Sequence, residues 1–305
     1  MKNNMEKQHT ADFQKKFSCI KKTGLFLAGT ILVLVTGCVK NDLYNTPHPE
    51  KGAVVITTDW MDALSETDIP TTYNLRMDET IKQAEGKVYS YSDLLTPGRH
   101  SLLVYNEPQG MTINGTTATV DLREDGTLKP LPEYLFSAKK ELDVVQDDTL
   151  HVTVSMIRRL CPIVLNLSLT GENAKEIARI DATLSGIISS IDLQNNVTGN
   201  ENLTVTLDLQ QVADKAYGYA TGKLKMGCRV VGVNSNEHQL LTVTVTMKDS
   251  YKSTIVSDLT DYLKNLNADM KPIELTQTVE ALQDGHFNGT ITDWIVTDDF
   301  EIDAQ

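Results

Sequence analysis

Cysteine is scarce in this sequence: four residues in 305, at positions 19, 38, 161 and 228. No CxxC or Cys/His spacing occurs, which excludes a zinc cluster and a disulfide-dense scaffold. Cys161 and Cys228 are left as a pair, if their Cα atoms come within about 7 Å, or as two buried thiols acting as small apolar side chains. Basic charge is also short. A net charge of −13 and a pI near 4.9 argue against nucleic acid, whose phosphates require clustered Lys and Arg. The sequence has no GxSxG, HExxH, P-loop or dinucleotide fingerprint. Histidines 48, 100, 151, 238 and 286 are scattered at expected turns and strand starts, and nothing groups them into a triad. The acidic tail Asp298-Asp299-Phe300-Glu301-Ile302-Asp303 lacks the Gly and the spacing of a calcium loop and reads as solvated. No enzyme activity, cofactor or metal is therefore expected.

What the chain does contain begins with LFLAGTILVLVTGCVKND, Leu25 to Asp42. Residues 1–37 hold six Lys and two acids and so carry +4, leaving −17 on the rest. The apolar run from Gly24 to Val35 is broken only by Thr30. It is shorter than the roughly 20 residues a spanning helix needs, and suits the apolar region of a signal peptide. Val35-Thr36-Gly37-Cys38 then resembles the bacterial lipobox. Small side chains at the cut fit a narrow peptidase groove, and the Cys38 thiol is the nucleophile that receives diacylglycerol. Cleavage is expected between Gly37 and Cys38, with residues 1–37 discarded as a lipoprotein signal peptide. Two or more acyl chains on Cys38 suffice for stable attachment. Residues 38–52, with Pro47 and Pro49, read as a lipidated tether.

After the tether the chain reads as strands. AVVITTDW (53–60), TTYNLRM (71–77), HSLLVYN (100–106), TTATVDL (116–122) and HVTVSM (151–156) are β-branched and mostly alternating, with Gly, Pro and Asp turns between them. The style continues through 161–170, 177–187, 201–209, 220–233, 238–247, 271–279 and 286–296. One helix is expected at SDLTDYLKNLN (257–267), with Ser257 as N-cap and Leu259, Leu263 and Leu266 on one face. With no βαβ alternation, the expected architecture is all-β: two β-sandwich domains, 53–160 and 161–305, divided near Arg158–Cys161. Trp60 and Trp294, the only tryptophans, sit in matching TTDW and TITDW contexts. They are a candidate aromatic platform for a sugar, against the commoner role of core caps.

The lipobox Cys38, NDLYNTPHPEKGAVVITTDW, PTTYNLRM, LLTPGRHSLLVYNEPQGMTING, LSGI and the terminal TITDWIV together resemble the Bacteroidales fimbrillin-like lipoproteins, the anchor and accessory subunits associated with type V pili. The resemblance spans most of 38–296. It implies two transthyretin-like sandwich domains, lipid attachment to the outer membrane at its exposed face, and assembly with pilin subunits by strand exchange. It carries no catalytic residues. Polymerising pilins of this kind resemble precursors trimmed after an Arg in the first domain. Arg158 and Arg159 lie near the boundary, a poor place for such a cut, so an anchor or accessory subunit is expected rather than a shaft subunit. The competing reading is a glycan-binding surface lipoprotein of a polysaccharide-uptake system, which would require Trp60 and Trp294 to be exposed and coplanar.

Overall fold

In the computed structural model, residues 50–210, 222–281 and 287–296 are described. Those from His48 onward form one compact unit. Cys38, the signal segment, most of the tether and the acidic tail lie outside the described residues. No described helix is long and apolar enough to cross a membrane.

The architecture is all-β, built of several sheets packed as sandwiches. In the first half, β1 (Ala53–Asp59) is the middle of a three-stranded sheet between β4 (Val88–Ser90) and β9 (Thr149–Ser155). Its partner β9 runs parallel to it along all seven residues, and β4 runs antiparallel. Facing this sheet is a five-stranded one in the order β10 (Ile157–Arg158), β8 (Phe136–Val144), β5 (Gly98–Tyr105), β2 (Thr72–Met77), β3 (Thr80–Glu85). Strict alternation in β1 and β2 turns Val54, Ile56, Tyr73, Leu75 and Met77 into the core.

The second half holds β11 (Cys161–Thr170), β12 (Ile177–Ile188), β15 (Leu203–Leu209), β16 (Lys223–Val230), β17 (Gly232–Val233), β18 (Leu240–Met247), β19 (Lys252–Asp258), β20 (Ile273–Ala281) and β21 (Phe287–Val296). They run in the order β19-β18-β12-β15-β16-β11-β20-β21, with β17 on β12. Only two residue pairs, Asp208 with Gly227 and Leu209 with Met226, join β15 to β16. The sheet turns a corner there, so its two parts enclose Val205, Leu207, Val243, Val245, Leu165 and Leu275 between them.

A fourth sheet links the halves: β6 (Met111–Asn114) and β7 (Thr117–Val120) from the first, β13 (Ser190–Asp192) and β14 (Val197–Thr198) from the second. Ala118 stands opposite Ile191. The Leu128 N–H donates to the Thr204 carbonyl at 2.8 Å. Apolar packing is continuous from one half to the other.

The expected helix over 257–267 is corrected. Ser257 belongs to β19, and two short helices follow, α1 (Thr260–Leu263) and α2 (Leu266–Asp269), broken at Lys264 and Asn265. The Asp258 carboxylate accepts the Thr260 N–H at 2.9 Å and opens the turn in place of Ser257. The apolar face is retained, with Leu259, Leu263 and Leu266 buried. Cys161 and Cys228 are free, buried thiols.

Candidate functional site

The strand that follows the expected tether, β1, is secured along both edges. Gly52 exchanges two hydrogen bonds of 2.9 Å with Leu95, and the Ala53 N–H donates to Asp148 at 2.9 Å. A Cβ on Gly52 would stand 2.3 Å from the Val145 carbonyl oxygen and 2.6 Å from Val144 Cγ1, so no other residue fits where the chain enters the sheet. Farther along, the Tyr91 N–H donates to Val54, the Thr58 N–H to Lys87 and the Met156 N–H to Asp59. Val54, Ile56 and Thr58 are buried. Because β1 is bonded along both edges, a pull applied at its N-terminal end would load its ladders in shear, with many bonds sharing the force at once.

Trp60 closes the far end of β1. Its indole N–H donates to Thr58 Oγ1 at 2.9 Å. Its ring meets Tyr73 and Phe136 edge-on, with centroids 5.8 and 5.5 Å away. Trp294 lies on β21, opposite Leu275, in a different sheet. Trp60 thus follows a strand of one sheet while Trp294 belongs to another, and the Trp60 ring is engaged in packing.

A titratable pair joins the turn after β2 to the start of β5. His100 Nδ1 is 2.7 Å from Asp78 Oδ2, and His100 Nε2 is 2.8 Å from the Thr96 carbonyl oxygen. Both partners only accept, so both ring nitrogens are asked to donate, which favours imidazolium. The hydrogen bond to Asp78, with the Thr96 carbonyl, raises the His100 pKa. Asp78 is held below the usual carboxylate range by His100 and the Ser101 N–H, which outweigh its burial.

Arg158 is buried, its backbone N–H donating to Asp62 Oδ2 at 2.6 Å and its guanidinium to the carbonyls of Leu160 and Met270. Arg159 bonds Ser137 Oγ at 2.7 Å and Asn196 Oδ1 at 2.6 Å. Sequence reading had no signal for these partners, which, apart from Leu160 two positions on, come from 22 to 112 residues away.

Open strand edges remain on the described surface. Strand β3 pairs only with β2 and exposes Ile81, while β19 pairs only with β18 and exposes Val256. Strand β19 also approaches β21 with no ladder between them.

The sequence matches the profile of the fimbrillin-A associated anchor proteins Mfa1 and Mfa2 over residues 66–300. The chain belongs to that family. No curated protein matches it by sequence. Solved relatives of the anchor family's fold include the fimbrial anchor protein Mfa2 from Porphyromonas gingivalis, with TM-score 0.53 and 9% identity over 81% of this chain and 99% of that one. An adhesin candidate from Bacteroides ovatus aligns with TM-score 0.53 and 13% identity over 86% of this chain and 97% of that one. A candidate polysaccharide-binding protein from Bacteroides thetaiotaomicron aligns with TM-score 0.52 and 10% identity over 84% and 99%. At these identities the likeness establishes the fold. Membership of the anchor family gives this chain a fimbrial or adhesin-like role in association with fimbrial subunits, and a place at the cell envelope.

Proposed function

We propose that this chain is a non-enzymatic anchor or accessory subunit of a type V fimbrium, fixed in the outer membrane by acyl chains on Cys38 and joined to pilin subunits by strand addition. The observation that carries this reading is β1. It follows the tether directly and is bonded on both edges, so the chain fills its own first sandwich with the strand nearest the lipid. A subunit that keeps this strand retains its link to the membrane and can end or hold a fibre. Burial of Arg158 and the bonds on Arg159 oppose trimming at the middle of the chain, which would separate the halves from the anchor.

The two halves are read as two sandwich domains, 53–160 and 161–305. Partner strands would add to open edges such as β3 or β19, gaining ladder hydrogen bonds and pockets for alternate side chains. The glycan-binding reading is not favoured, because the Trp60 ring is packed edge-on and its N–H is engaged.

Replacing Cys38 with Ala tests the attachment. The unprocessed precursor should accumulate, acyl labelling should vanish and the protein should leave the outer-membrane fraction. Continued labelling of the variant would overturn the lipid assignment. Crosslinking in intact cells tests the assembly: a pilin-sized partner should co-purify, and its absence would overturn the fimbrial reading while leaving lipidation intact.

A further inference from the structure

Two guanidiniums are buried where the halves meet, and no carboxylate pairs with either among the described residues. Arg229 on β16 and Arg158 on β10 are 2% and 4% exposed. Both lie against the ring of Tyr134, with guanidinium carbons 3.9 Å and 5.7 Å from its centroid. The two charges are therefore no more than about 10 Å apart. Arg229 Nη1 donates to the Pro132 carbonyl at 2.9 Å, and its backbone N–H to Pro130 at 2.7 Å. That leaves Arg229 Nε and Nη2, Arg158 Nε and the Tyr134 hydroxyl, all buried, without a well-formed hydrogen bond, although Arg229 stands near enough to the hydroxyl to offset part of the rise that burial imposes on its pKa. The nearby acids are engaged elsewhere. Asp62 Oδ2 accepts the Arg158 backbone N–H, and Asp68 Oδ2 accepts the Ser65 N–H at 3.0 Å.

Arginine keeps its proton at any ordinary pH, so these charges cannot be relieved by titration. A buried charge without a partner is strongly unfavourable. The surroundings of the Tyr134 ring are thus short of hydrogen-bond acceptors and of negative charge. Water supplies the first alone. An anion supplies both.

We propose that the junction of the two halves binds a small inorganic anion through the free N–H groups of Arg229 and Arg158 and the Tyr134 hydroxyl. The ligand bridges β10 and β16, and so clamps one half to the other. Burial of these donors favours a compact ion such as chloride or phosphate over a bulky organic one.

The test is thermal unfolding of the mature chain at constant ionic strength, with sodium gluconate replaced stepwise by sodium chloride or by sodium phosphate. A saturable rise in Tm is expected with at least one of the two, roughly 5 to 10 °C at an anion concentration about 100 times its Kd. A response to chloride alone marks a halide-sized site, and to phosphate alone an oxyanion site. Arg229→Met should abolish the increment while equalling or exceeding wild-type stability in gluconate, where its charge is uncompensated. If that variant does not fold, Tyr134→Phe, which removes one donor and keeps the ring, should shift the saturation midpoint upward. Crystals soaked in sodium bromide should show an anomalous peak beside Arg229 if chloride responds. Equal Tm values in all three salts, or an anion increment unchanged in both variants, would overturn the proposal.

Discussion

The two halves are built from the same element and filled differently. Tyr73, Tyr91, Tyr105, Tyr134 and Phe136 are buried in the first, whereas the buried apolar residues described from Leu160 onward are aliphatic, Met or Cys, with no aromatic among them. Strand length accounts for the contrast. Strands β11 and β12 run for ten and twelve residues and supply long rows of Leu, Ile and Val that interdigitate. The first half covers its five-stranded sheet with only three strands, one of them three residues long. Fewer inward positions must fill the same depth, and large rings do so. One half therefore depends on a few big side chains and their hydrogen bonds, the other on many small, repeated contacts.

The largest expected effect would come from removing a ring. Phe136→Ala should cost about 3–5 kcal/mol, and Leu165→Ala in the aliphatic half about 2–5 kcal/mol, with its strands better able to close on the gap. Urea unfolding followed by Trp60 fluorescence in a Trp294→Phe background measures both. A larger loss from Leu165→Ala would break the contrast. Next comes Gly52→Ala, which drives a methyl into the Val145 carbonyl and should cost about 1–3 kcal/mol. The same assay should show it acting on β1.

A smaller effect follows from His100 and Asp78. The His100 pKa is raised in the folded state, so its contribution is complete below its ordinary value of about 6.5 and is lost as pH climbs through the folded value. Asp78 is shifted downward, so its contribution is present above its ordinary value of about 3.9 and is lost as pH falls toward the folded value. Wild type should thus lose stability as pH climbs above the ordinary histidine value, and His100→Gln should flatten that slope, as Tm against pH would reveal. An unchanged slope would remove side-chain bonding as a distinctive support of the first half. The smallest effect belongs to the aliphatic half. Burial pushes the Cys161 thiol up to about 12 and Cys228 higher still, so neither should react with iodoacetamide until the chain unfolds.

Strands with strict alternation were legible before any fold was known. Cys161–Thr170 was expected at the bounds observed, and Leu240–Met247 within two residues. Strand β8 was missed because Lys139, Lys140 and Glu141 are all exposed and interrupt its pattern. The stretch expected as one strand over 116–122 is the second arm of a hairpin that turns at Gly115-Thr116. Strand β19 was partly absorbed into the expected helix, since its exposed edge is polar and its alternation weak. Among candidate sites, Cys38 rests on a local motif that needs no tertiary context to be read. Trp60 was visible as a residue but not as a packed one, because Tyr73 and Phe136 are 13 and 76 positions away.

By itself the sequence determined the all-β class, and it is the source of the expected break between leader and body and of the proposed attachment at Cys38. Each is written in neighbouring residues, through the period of two, the short apolar run and the small residues before a thiol. Only the tertiary structure decided that β1 lies parallel to β9, that the halves share a four-stranded sheet, and that Arg158, Arg229 and Tyr134 meet. Those pairings join residues from 24 to 96 positions apart, and alternation states which face of a strand is buried without stating which strand will cover it.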